Sequence, residues 1–141
     1  MTEAVPKDDI LLDVRNLKKY FPIQKGAFRR TVGNVKAVDD VTFFVREGET
    51  LGLVGESGCG KTTAGRTIVR LYEPTGGQVF FKTRILSPDG QPKVINLLEL
   101  DRKQIKPIYQ EISMIFQDPV NSLNPRMTVS DIIAEPLVIH G

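Results

Sequence analysis

The 141-residue sequence predicts an α/β fold with an added antiparallel layer, and three observations carry that expectation. Short apolar runs of β type alternate with a segment of helical period. Residues 55–63, GESGCGKTT, lie between the almost wholly apolar run 50–54 and that helical segment, where a strand meets a helix. The first two strand-like runs have no helix between them, so they add antiparallel strands to a partly parallel sheet.

The elements follow in order. Residues 10–17, ILLDVRNL, predict a first strand, and Pro22 discourages regular structure soon after it. Residues 24–34 are polar and glycine-bearing and are expected to form a surface loop. Residues 36–46, KAVDDVTFFVR, alternate partly in a second strand, and 50–54 is a short strand of the kind buried on both faces of a parallel sheet. Ala64, Ile68, Leu71 and Tyr72 fall on one face of a helix that stops before Pro74. Residues 78–86 are β-like, and Ser87-Pro88-Asp89-Gly90 turns the chain back towards Val94 and Ile95. Asp101 caps a short helix that Pro107 interrupts or restarts, and 112–116 is a further brief strand. Thr128-x-x-Asp131 has the form of a capping box and opens a last helix containing Pro136.

Composition is that of an ordinary globular protein, 40% apolar and 26% charged, and a net charge of +2 argues against a nucleic-acid partner. The basic cluster Lys25, Arg29, Arg30 and Lys36 reads as a solvated loop. A single cysteine, Cys59, excludes an internal disulfide, and in a glycine loop it reads as a small turn residue rather than a reactive thiol. There is no signal-peptide pattern and no apolar run of the length a membrane span requires. Any link to a membrane therefore runs through a partner.

Residues 55–62 match G-x-x-x-x-G-K-[ST], with Gly55, Gly60, Lys61 and Thr62 in the fixed places. The chemistry explains the pattern. Glycines let backbone N–H groups close on phosphate oxygens where a Cβ would obstruct them. The first turn of the helix offers unpaired donors to an anion. Lys61 brings a full charge to the β- and γ-phosphates, Thr62 a hydroxyl to magnesium, and Thr63 a contact to the α-phosphate. Glu56, Ser57, Gly58 and Cys59 complete the cradle. GTPases, kinases and transport ATPases all use such a loop.

Residues 117–129, QDPVNSLNPRMTV, followed by EPLVIHG, narrow the choice. With the loop upstream they closely resemble the glutamine-loop region of ABC-transporter ATPases, in particular the ATP-binding subunits of dipeptide and oligopeptide importers. Residues 17–41, LKKYFPIQKGAFRRTVGNVKAVDDV, are similar to the N-terminal region of the same subfamily, whereas 83–93 resembles an insertion. The resemblance implies a P-loop NTPase (ABC ATPase) core with an added antiparallel β layer. It would be divided into the β layer and P-loop with its helix (1–82), a hairpin insertion and short helix (83–111), the glutamine loop (112–128) and the start of the helical subdomain (129–141). It implies that Tyr20 stacks on adenine, that Gln117 helps hold Mg2+ and the attacking water and senses the γ-phosphate, and that 118–128 docks on a membrane-spanning subunit. ATP and Mg2+ are the implied cofactors. The implied partners are a second ATPase subunit, permease subunits and indirectly a solute-binding protein, at the cytoplasmic face of the membrane.

The family's LSGGQ signature, its second acidic strand with a catalytic glutamate, and its histidine switch are not found in these 141 residues. The chain is therefore expected to be an N-terminal part of such a subunit, truncated before the signature and second acidic motif, that binds nucleotide without hydrolysing it. The competing readings are a stand-alone, non-hydrolysing nucleotide-binding module and a soluble ABC protein of DNA repair or translation. The segment 117–129 favours the transporter type over the last.

Overall fold

The computed structural model describes residues 9–26, 30–87, 89–117 and 123–140. Strands β1 (Ile10–Lys25), β2 (Arg30–Arg46), β3 (Gly76–Thr83) and β4 (Lys93–Asn96) form one sheet in the order β2-β1-β3-β4. Every pairing in it is antiparallel. Helix α1 (Lys61–Ile68) lies between β2 and β3 in sequence, and α2 (Arg102–Ile108) and α3 (Val129–His140) follow β4.

The first hairpin is longer than the sequence predicts. Residues 24–34, expected as loop, largely belong to it, with Pro22 paired to Asn34 and Lys25 to Arg30. The reason is the edge position. β1 pairs with β3 only as far as Lys18, so beyond that point one side of β1 is open and a proline without an N–H is tolerated there. Asn16 and Asp40 both have positive φ at irregular points of the ladder, and the Asn16 amide donates to Asp40 Oδ1 at 2.8 Å.

The core lies between the sheet and helices α1 and α2, while most of the large apolar side chains of α3 are exposed. Val14, Leu17 and Val79 are completely buried, with Phe81, Val38, Ala64, Leu97 and Ile108 around them. Gly77 is needed where β3 crosses β1, because at φ 99° its Cβ would stand 2.6 Å from both Asn16 O and Leu17 Cα.

Helix α1 ends at Ile68, sooner than Pro74 requires. Arg70 adopts φ 56°, and its guanidinium donates to Leu97 O (2.9 Å) and Leu100 O (2.6 Å). The chain therefore turns out of the helix before Leu71, which is 52% exposed instead of lying on the buried face. Pro107 does not interrupt α2, which continues to Ile108. Both predicted caps form. Asp101 accepts from Lys103 N and Gln104 N while Gln104 reaches back to Asp101 N, and Thr128 and Asp131 bond reciprocally.

The runs 50–54 and 112–116 do not form strands, contrary to expectation. A parallel strand is held by ladder partners on its edges and helices on its faces. None of the described residues pairs with either run, and Val54 and Ile115 are 90% and 93% exposed.

Candidate functional site: a glycine loop facing the hairpin

The loop reaches α1 through Gly60, the N-cap, at φ 97°. Strand β2 passes so close that a Cβ on Gly60 would lie 2.1 Å from Ala37 O. Glycine is thus required twice over, by the left-handed backbone and by contact with β2. No side chain caps α1, so its first-turn N–H groups retain the donor capacity that suits an anion. Ala64 N donates to Gly60 O at 2.8 Å, the first bond of the helix.

Lys61 curls over its own loop. Its Nζ donates to Gly55 O and Glu56 O, both at 2.7 Å, with Cys59 Sγ at 3.5 Å. The carbonyl dipoles hold a full positive charge in the loop, with no carboxylate partner among the described residues. Gly55 and Glu56 therefore contribute through their backbone oxygens.

A cavity of about 540 Å³ opens at this loop. Residues 57–63 line it, and so does Gln117 from the bend after 112–116, more than fifty positions along the chain from Lys61. The remaining wall is Val35, Lys36 and Ala37 of β2. Tyr20 is not in the wall but stands behind it, since its cross-strand partner is Lys36, whose Nζ lies 5.4 Å from the centre of the Tyr20 ring. Phe21 points elsewhere, packing edge-on against Tyr72 at 5.6 Å.

The rim is a small charged network. The Tyr20 hydroxyl and Lys36 Nζ both donate to the Asp39 carboxylate, the latter at 3.0 Å. The bond from Tyr20, then that from Lys36, holds Asp39 below the usual carboxylate range. In return, hydrogen bonding to Asp39 pushes Tyr20 and Lys36 above their ordinary values, so at neutral pH Tyr20 is a neutral donor and Lys36 is charged.

Sequence reasoning missed Lys36 as a site residue and treated it as part of a solvated basic cluster. Nothing in local pattern separates it from Lys25; the close approach of β2 to Gly60 at the neighbouring Ala37 puts it at the cavity. Arg66 is not in the cavity wall but packs beside it. Its guanidinium lies 5.9 Å from the Phe116 ring and 5.7 Å from Tyr72, linking α1 to the residue before Gln117.

The donor set fits a magnesium–nucleotide complex. Thr62 and Gln117 offer neutral oxygens, and among the described residues no cluster of His, Cys, Asp or Glu could hold a metal alone. Magnesium characteristically takes few protein ligands and fills its shell with waters and phosphate oxygens.

Comparison with known proteins places the chain in a family. The chain is 53% identical over 141 residues to the oligopeptide transport ATP-binding protein AppF of Bacillus subtilis, covering all of this chain and 39% of that protein. It is 40% identical over 140 residues to the dipeptide transport ATP-binding protein DppF of Haemophilus influenzae, covering 99% of this chain and 39% of that one. The chain thus spans about two fifths of the length of these curated relatives. A dimeric post-hydrolysis structure of the ATP-binding cassette MJ0796, bound to ADP and Pi, superposes with a TM-score of 0.66. That match covers 93% of this chain and 48% of that one at 23% identity, so it speaks for the fold alone. Among the described residues no helix is long and apolar enough to cross a membrane. The family model for the ABC transporter matches residues 38–136, a stretch that holds both the glycine loop and Gln117. The chain belongs to the ABC transporter family.

Proposed function

We propose that this chain is the nucleotide-binding part of an ATPase subunit that powers import of dipeptides or oligopeptides. The observation that carries the reading is the convergence of residues 57–63 and Gln117, remote in sequence, on one cavity. The transport role is supported by the relatives, which are named for oligopeptide and dipeptide transport.

Each residue then has a task. The first-turn N–H groups and Lys61 receive the phosphates, Lys61 leaving Gly55 O and Glu56 O to do so. Thr62 and Gln117 hold magnesium, which when bound neutralises charge on the phosphate oxygens. Gln117 orients water at the γ-phosphate end, and Tyr20 offers a ring to adenine, since stacking tolerates any base. Partners are a second ATPase subunit and membrane-spanning permease subunits, with the chain peripheral to the membrane on its cytoplasmic side.

Phosphoryl transfer needs groups positioned around the γ-phosphate in addition to those that bind it. These 141 residues supply the binding groups, and alone they are proposed to hold ATP without turning it over. Calorimetry with Mg-ATP tests the binding. Lys61→Ala removes a charged contact and is expected to weaken affinity by about ten- to hundred-fold; unchanged affinity overturns the assignment. Steady phosphate release by the purified chain overturns the second part.

A further inference from the structure

Lys36 has no task in the reading above, yet it stands in the wall of the site. It lines the 540 Å³ cavity and a neighbouring one of about 350 Å³, both of which also touch Gly60 and Lys61. Its ammonium is held 3.0 Å from Asp39 Oδ2, and its side chain is 61% exposed. Exposed lysine–carboxylate pairs are weak and readily exchanged, and the long lysine stem can turn without disturbing the backbone. A polyphosphate entering beside Lys61 presents more negative charge than Asp39 does. Lys61 comes to that charge from the loop, and Lys36 comes to it from β2.

We propose that Lys36 is a second cationic contact for the phosphate chain, parked on Asp39 at the cavity mouth and transferred to the nucleotide when it binds. It is a specificity-determining residue that favours nucleoside polyphosphates over the bare nucleoside. The inference rests on the nucleotide-binding reading of the glycine loop. It also accounts for the Tyr20–Asp39–Lys36 arrangement, in which the lysine leaves one anion for another close by.

The test is calorimetric binding of ATP, ADP and adenosine to the full chain and to its Lys36→Ala, Lys36→Arg and Lys61→Ala variants. Lys36→Ala is expected to weaken ATP by about three- to ten-fold. ADP should be weakened less and adenosine not at all, and Lys36→Arg should restore ATP affinity. Equal weakening of all three ligands would mean that Lys36 acts through the Tyr20 ring, which overturns the inference. Unchanged ATP affinity in Lys36→Ala, with loss in Lys61→Ala, overturns the inference alone. Absence of ATP binding to the unaltered chain overturns both readings. Thermal melts of the two Lys36 variants, expected to coincide with that of the unaltered chain because Lys36 is exposed, separate a binding loss from misfolding.

Discussion

Ala37 O lies 2.1 Å from the point where a Cβ on Gly60 would stand, so β2 and the N-terminus of α1 meet backbone to backbone. This contact brings the hairpin to the glycine loop and makes Lys36 and Ala37 part of the cavity wall. It depends on one missing methyl group.

Gly60→Ala is therefore expected to do more than strain one dihedral. Gly58 also has positive φ, 82°, but open space where its Cβ would lie. At Gly58 an alanine adds only conformational strain, about 1 kcal/mol. At Gly60 the hairpin must also move, and destabilisation of about 3 kcal/mol or more is expected, as for an overpacked core. Chemical denaturation of the two variants checks the ranking; equal midpoints would show that the loop separates freely from β2.

Tyr20 contributes a ring and a hydroxyl, and these separate. Tyr20→Phe keeps the ring and should leave ATP affinity near that of the unaltered chain. Tyr20→Ala should weaken it by about ten-fold or more if adenine stacks there. Equal losses in both variants would assign the role to the hydroxyl on Asp39 instead. A collapse of the unfolding midpoint in Tyr20→Ala would mark the ring as structural.

The same bond gives a pH window. Asp39 is held below its ordinary pKa, first by the Tyr20 hydroxyl and then by Lys36, so its contribution is full above the unfolded carboxylate value and fades as pH falls through the lower folded one. Tyr20 is raised by the hydrogen bond to Asp39, so its contribution is full below about pH 10, the ordinary phenol value, and fades as pH rises through the raised folded one. Ultraviolet titration of the unaltered chain against Asp39→Asn should show the Tyr20 phenol ionising later in the unaltered chain. Identical tyrosine titration curves in the unaltered chain and Asp39→Asn would contradict the contact.

Helix α2 tests a local signal against a tertiary one. Asp101 accepts from Lys103 N at 2.7 Å and Gln104 N at 2.8 Å, and Asp101→Ala should cost about 1 kcal/mol. Ile108 is 1% exposed in the core, and Ile108→Ala should cost about 2–5 kcal/mol. Urea melts that reversed this order would show that α2 is held by its cap rather than by its packing.

Features that depend on neighbours a few positions apart are legible in the chain alone. The glycine loop, the caps at Asp101 and Thr128, and the return of β3 on β4 are such features, because backbone conformation, side-chain capping and turn chemistry act over short range. The remaining features depend on long-range contacts. Residues 50–54 and 112–116 are apolar enough for strands, but a strand exists only with a ladder partner, and no described residue supplies one. Residues 24–34 look like a loop until β1 and β2 pair, and pairing is a property of two segments together. Lys36 belongs to the site because Gly60 lets β2 approach the loop at the neighbouring Ala37. Such placement follows from contacts between distant residues, which no local pattern encodes.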